Sequence, residues 1–450
     1  MTNLSINAQP MWFDFERLPT SAIILSPDQI NQAIELSNQI INANRQWQVY
    51  LNSLALFAFE EWLESRDTSL TINRERCTIF QPAVVNAISS VTNLQVGDFQ
   101  LCLIATGSLT DEEVTLPRAV VDLPEYIPHF YILVEVFSEQ ECVIIQGFLS
   151  SQQLTQRLVN SNLVPEEDWT YQLPLTWFEN NSDRLLLYLR CLESQAIPLP
   201  AVPLERAYNL SRMQNELTAL LPQLHSPERE LWQVLNWEQG TAVLTSPELL
   251  NWVYNLQIQQ LPITNSQFSI PHLSDLIKLL TQPTLNVGRW LWDELDNLAQ
   301  ELSWVLLPGF APIGEMRSPT EEFAAIITQL QQTDSEIPLE ARAAFKDLLL
   351  AGIQLRLYAV TWHLVSESNR EWTLLLILGA PNSNSLPHNV KLRVSDQTGI
   401  LIERGLEPEN GDAYIFTRVI GNWDEKFLVS VKLMDGVEVT LPPFAFDLGR

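Results

Sequence analysis

The fifteen glycines of this chain are scattered so that no two lie closer than five positions, and that spacing removes whole classes of site. A loop that grips phosphate needs clustered glycine, because its backbone must approach the ligand closely and adopt positive φ. A dinucleotide fingerprint needs Gly-x-Gly-x-x-Gly, and a nucleophile elbow needs Gly-x-Ser-x-Gly. Neither can be written with these glycines. The nearest approach, Gly309-Phe310-Ala311-Pro312-Ile313-Gly314-Glu315-Met316, has P-loop glycine spacing but puts Glu315 where a phosphate needs lysine. The glycines read instead as punctuation: Gly97, Gly399 and Gly436 at strand turns, Gly240, Gly309 and Gly352 near helix ends.

A chain of 450 residues with 46% apolar and 18% charged residues is long enough for several packed cores. Its fourteen tryptophans are spread over the whole length, so each segment is expected to bury some of them. The net charge of −28 argues against direct nucleic-acid binding and against an anionic membrane surface. That charge is uneven: residues 1–350 carry 42 Asp/Glu against 17 Lys/Arg, and residues 351–450 carry 12 against 9. A solvated acidic surface accounts for this, as would a docking face for a basic partner. Cys77, Cys102, Cys142 and Cys191 form neither a metal clip nor a Cys-x-x-Cys pair. No signal-type apolar run precedes Arg17, and no stretch approaches 18 uninterrupted apolar residues. The expectation is a cytoplasmic protein without a membrane span.

The fold class expected is α+β in three parts: a mixed α/β domain over 1–196, a helical domain over 205–352 and an antiparallel β-sandwich over 353–450. The proline-rich segment 197–204 separates the first two as a linker. In the first part, Ser26-Pro27-Asp28-Gln29 sets a capped helix start. A second helix near Arg45–Glu64 places Trp47, Leu51, Leu54, Ala58 and Trp62 on one buried stripe. Hairpins are expected around Gly97-Asp98 and around Ser138–Glu141, and Ser150 or Ser151 caps a helix, with another over Asp183–Glu193. In the second part, Ser226, Ser246 and Ser318 each precede proline and read as helix starts. The strongest helix covers Asn286–Val305, with Leu291, Leu295, Leu298, Leu302 and Val305 packing lengthwise against a neighbour. Arg342–Gly352 closes the helical part.

Seven short period-two segments follow: Gln354–Val365, Trp372–Leu378, Val390–Ser395, Ile400–Glu403, Ala413–Val419, Phe427–Leu433 and Val437–Leu441. Turn signals at Pro381–Asn384, Asp396–Gly399, Gly421-Asn422 and Asp435-Gly436 separate them. This pattern gives a sandwich, immunoglobulin-like in general shape, without the inter-sheet disulfide.

The search for chemistry assigns no catalytic, cofactor-binding or metal-binding residue. His129, His225, His272, His363 and His388 stand apart, and His363, within a strand, reads as a satisfied structural residue. Asp111-Glu112-Glu113 and Glu166-Glu167-Asp168 read as loops. Asp293 and Asp296 could share a helix face, but a solvated face explains them as well as a carboxylate pair does.

Three stretches carry a resemblance. They are Gln46–Ala55, like the family sequence QVYLNTLAV; Leu285–Leu291, like VNLRQWL; and Leu374–Gly379 followed by Leu386–Leu392. On these the chain resembles the cyanobacterial domain-of-unknown-function family 1822, although Thr440–Phe444 departs from the family's acidic-then-apolar ending. The resemblance carries no catalytic residues. It implies a setting, beside caspase-like proteases of the CHAT type and sigma-factor genes, and so a regulatory role. The missing ligand loops, the uneven charge and the modular parts make the leading expectation a non-enzymatic adaptor or regulatory protein that binds other proteins, without a cofactor. Sequestering the basic helices of a sigma factor is one form that role could take. Two other expectations stand beside it. One is an enzyme, most naturally a hydrolase, whose site is assembled from distant residues. The other is a small-ligand or carbohydrate module in the sandwich, which needs an exposed aromatic platform such as Trp372 or Trp423.

Overall fold

The structure is a computed structural model that describes residues 21–107, 112–259, 270–308, 323–324, 326–328, 337–365, 370–381, 386–387, 389–406, 414–433 and 436–448. The Gly309–Gly314 stretch, the start at Ser318, most of the Pro381–Asn384 turn, and Asp111 and His388 lie outside them. The protein is mixed α/β with several antiparallel sheets, and it divides into two compact units. The first comprises Met1–Val202 and Pro227–Thr245, the second Pro203–Ser226 and Ser246–Arg450.

In the first unit, Ser26 caps α1 (Pro27–Asn38) through the expected box: its hydroxyl accepts from Gln29 N, and Gln29 Oε1 accepts from Ser26 N. Helix α2 (Ala43–Arg66) is buried on all sides from Leu51 to Phe59 and packs on a six-stranded sheet. Trp47 departs from the expected stripe. It is exposed and lies 5.5 Å from Tyr50, because the helix enters the core only from Val49 onward.

The sheet strands are β1 (Ile23–Ile24), β2 (Ile72–Asn73), β3 (Thr92–Val96) and β4 (Phe99–Thr106), followed by β6 (Phe130–Phe137) and β7 (Cys142–Ser150). Between β4 and β6 in the chain lies β5 (Glu113–Pro117), which pairs with β8 (Thr170–Pro174) in a separate ribbon. The sheet order is β1-β7-β6-β4-β3-β2, with only β4 and β6 parallel among the pairs described. Both expected hairpins form, the first turning at Gly97 (φ +54) and the second at Glu141 in the left-handed region. Ser150 caps the helix at Ser151–Ser161, and another spans Ser182–Cys191.

The segment 227–245 belongs to this first unit. No helix starts at Ser226-Pro227; a 3-10 turn at Leu231–Gln233 and the helix Trp237–Leu244 follow instead. Arg45 pairs with Glu230, and the Tyr126 hydroxyl donates to the Leu244 carbonyl, 2.6 Å away.

The second unit is layered. Its five-stranded sheet has the order β10-β11-β12-β13-β16, from β10 (Val305–Leu306), β11 (Arg342–Leu350), β12 (Ile353–Val365), β13 (Arg370–Gly379) and β16 (Ile415–Asn422). A four-stranded sheet runs β15-β14-β17-β18, from β14 (Val390–Ser395), β15 (Ile400–Gly405), β17 (Leu428–Leu433) and β18 (Glu438–Thr440). A short parallel pair joins β9 (Leu285–Asn286) to β19 (Phe444–Ala445).

Alternation places Leu355, Leu357 and Ala359 of β12 and Trp372, Leu374 and Leu376 of β13 in the same core as Val390, Leu392 and Val394 of β14. The opposite residues of β12 and β13, including Tyr358, Val360, Leu375 and Ile377, bury a second cluster with Phe323, Ile326 and Ile327. The five-stranded sheet is thus apolar on both faces.

Two expected helices are not there. Arg342–Leu350 is strand, paired along its whole length with β12, and Gly352 (φ +82) turns the hairpin between them. Its sequence, Arg-Ala-Ala-Phe-Lys-Asp-Leu-Leu-Leu, has good helix formers, but pairing with β12 and burial of Ala343 against one core and of Ala344, Leu348 and Leu350 against the other decide the matter. Asn286–Val305 is not one helix either. A 3-10 turn over Val287–Trp292 stops at Asp293 in the left-handed region, and Asp296 caps a short helix at Asn297–Glu301. Leu291, Leu295, Leu298 and Leu302 still pack on the core, whereas Val305 is exposed. Asp293 and Asp296 are therefore an ion-pair partner and a cap, not a carboxylate pair.

The outer face of the four-stranded sheet is polar yet buried. Arg393 and Ser395 of β14 meet the helix Ile270–Thr281, where Asp275 is 1% exposed. Arg393 Nε lies 3.0 Å from one Asp275 oxygen, the Ser395 hydroxyl donates to the same oxygen at 2.8 Å, and Arg393 also pairs with Glu438 at 2.7 Å. One turn away, the fully buried His272 ring lies 3.3 Å from the Asp396 carbonyl, and burial lowers its pKa.

Two outcomes follow. Asp275→Ala leaves Arg393 in the interior without this partner and is expected to cost about 3–5 kcal/mol in urea denaturation; a loss under about 1 kcal/mol would contradict the network's role. His272 stays neutral in the folded state at pH values where an unfolded chain takes up a proton. Stability therefore holds above about pH 6.5 and falls as the pH drops below it. His272→Gln should flatten that fall, and an unchanged pH slope in the variant would exclude His272 as its source.

Candidate cavity at one end of the two-sheet unit

On three neighbouring strands of the second unit the inner-face alternation ends in polar residues. Arg342 continues the inward row of Ala344 and Leu348 on β11; His363 continues Leu355, Leu357 and Ala359 on β12; Arg370 continues Trp372 and Leu374 on β13. At this end of the sheet the three line a cavity of about 700 Å³.

The other walls come from two distant segments. The turn Val287–Trp292 supplies Leu291 and Trp292, the latter 56% exposed. The segment after β19 supplies Asp447 and Leu448. Asn286 fastens these two together: its Oδ1 accepts from Gly288 N at 3.1 Å and from Asp447 N at 3.0 Å. Gly288 is required here, since a Cβ would come within 2.6 Å of the Asp447 carbonyl oxygen. Phe446 stacks on the buried Trp372 (5.4 Å between ring centres) and lies 5.7 Å from Trp423, which forms part of the lining.

The lining is also held electrostatically. Asp293 accepts from Arg342 Nε at 2.8 Å, which orients that guanidinium. The Arg370 guanidinium lies over the Trp423 ring at 5.3 Å, and the Arg370 carbonyl accepts from Trp423 N. Glu340 completes the polar rim. Among the described residues, two ring nitrogens, Trp423 Nε1 and His363 Nδ1, are buried without a hydrogen-bond partner. His363 Nδ1 thus lacks the partner that a satisfied structural histidine would have.

The first unit has a smaller cavity of about 270 Å³, with Trp169, Trp232 and Trp237 among its lining residues and the Arg45–Glu230 pair beside them. Trp169 is held at φ +62, an unusual conformation for a bulky residue. Its ring packs on Gly240, which lies within the helix Trp237–Leu244 and not near its end. Asp168, of the expected acidic loop, accepts from the amide and hydroxyl of Thr170. The remaining histidines are placed apart: His129 Nδ1 accepts from Gln100 N, and His225 lies against the Pro222 carbonyl. Cys77, Cys102 and Cys142 are buried, and Cys191 is exposed. Burial raises the Cys77 thiol to about 12, which makes it inert. Among the described residues no helix is long and apolar enough to cross a membrane.

These features define a mixed α/β protein whose most elaborated cavity is built at the end of a pair of sheets. The chain belongs to the family described as protein of unknown function (DUF1822), whose sequence profile matches residues 23–440. No curated protein and no solved structure matches it.

The packing of Trp169 generates a prediction. In Gly240→Ala the new methyl would meet the Trp169 ring at 2.1 Å, so the variant should lose about 1–3 kcal/mol despite alanine's better helix propensity. Urea denaturation checks this, and a variant as stable as the parent would show that the ring is free to move away.

Proposed function

We propose that the protein is a non-enzymatic cytoplasmic adaptor or regulatory protein, and that its second unit takes up a segment of a partner protein in the 700 Å³ cavity. In this reading the unit's sheets form a β-sandwich, immunoglobulin-like in general shape, and the cavity opens at one end of it. The observation that carries the reading is the cavity's composition. Exposed Trp292, half-buried Trp423 and two arginines converge on one concave surface, and tryptophan and arginine are the residue types on which protein interfaces concentrate their binding energy. The setting implied by the family resemblance, beside CHAT-type proteases or sigma factors, supplies the candidate partners.

A second reading, a small-ligand or carbohydrate site, rests on Trp423. Trp372 is fully buried and cannot serve as a platform, but Trp423 lines the cavity. The hydrolase alternative has less to draw on. His363 shares the cavity with Glu340 and Asp447, yet its Nδ1 lacks the orienting hydrogen bond that an activated base needs.

The test compares wild type with Trp292→Ala in affinity purification coupled to mass spectrometry. Because Trp292 is 56% exposed, the substitution should change stability by less than about 0.5 kcal/mol. A protein partner retained by wild type and lost with Trp292→Ala is expected. A partner set that does not depend on Trp292 would remove the cavity from the interaction.

A further inference from the structure

We infer that the cavity recognises a carboxylate carried next to a large apolar group, as at the apolar C-terminal residue of a partner chain or at an acidic side chain flanked by one. The inference rests on the binding reading above and names its chemistry. The basic side chains are not scattered. Arg342, His363 and Arg370 stand on adjacent strands, on the same face, at the same end of the sheet, in a protein whose net charge is −28.

Their states differ in a way that singles out one of them. Arg342 is committed to Asp293. Arg370 lies 5.3 Å from the centre of the Trp423 ring and forms no ion pair among the described residues. A guanidinium held beside an indole and left unpaired offers N–H groups to a planar, two-oxygen acceptor, which is the geometry of a carboxylate. Leu291, Trp292 and Leu448 form the apolar wall that would receive the adjoining side chain. Glu340 on the same rim weighs against a broad polyanion. A single carboxylate placed at Arg370 keeps the ligand's charge to one.

The test uses N-acetyl-leucine and its primary amide as probes, titrated against the full chain by saturation-transfer NMR. The acid should bind about tenfold tighter than the amide, the discrimination expected when a charged hydrogen bond is lost. Arg370→Gln should abolish that preference. Trp423→Leu, which removes the ring beside which the Arg370 guanidinium lies, should weaken acid binding more than amide binding. Thermal melts confirm that each variant is folded. Equal binding of acid and amide, a preference that survives Arg370→Gln, or no binding of either probe would overturn the inference. Two peptides then separate the sources. One ends in a free leucine carboxylate; the other is amidated and carries an internal Glu-Leu. Failure here leaves the partner-docking reading intact if capture still depends on Trp292, so the two can fail separately.

Discussion

The buried pair of Asp275 and Arg393 holds the helix Ile270–Thr281 to the second unit's four-stranded sheet. The four-stranded sheet has one apolar face, given to the shared core, and one face that would ordinarily be solvated. Here that second face is covered by a helix, and its inward strand positions are Arg393, Ser395 and Ser430. Taking such groups from water is costly unless each is met by a partner. Asp275, Glu438 and Thr440 meet them, at separations between 2.7 and 3.0 Å. The arrangement also specifies register. An apolar helix could slide on an apolar sheet, whereas a carboxylate that must find one guanidinium and one hydroxyl cannot.

Local signals in the sequence reached those elements whose formation depends on neighbouring residues. The capping box at Ser26, the hairpin turns at Gly97 and Gly436, and the strand Val390–Ser395 are all decided within a few residues. What failed was decided at a distance. Arg342–Leu350 looks helical because alanine and leucine favour helix, but a two-sided sheet needs apolar residues at both parities, and such a strand has no period-two signature. The leucines at 291, 295, 298 and 302 kept helical spacing while the backbone broke at Asp293, where the pairing with Arg342, almost fifty residues away, holds the turn.

The cavity was illegible for the same reason. Arg342, His363 and Arg370 share a face only through the registers Arg342↔Thr361 and Val365↔Arg370, and no motif within the chain states those registers. His363 gave a weak signal, a titratable residue on the inward row that Leu355, Leu357 and Ala359 begin. The stretch Leu285–Leu291, which carries part of the family resemblance, supplies Leu291 to the cavity wall and Asn286 as the anchor of the opposite segment.

That anchor has a kinetic consequence. The Asn286 side chain grips the backbone of a residue 161 positions further on, and β19 pairs with β9 across a similar separation. Contacts of such long sequence separation form late in folding, because the loop they close costs entropy before anything is gained. Phe444 and Phe446 are also members of the core that the two sheets share, so the same late step that seats Asp447 and Leu448 in the cavity wall completes that core.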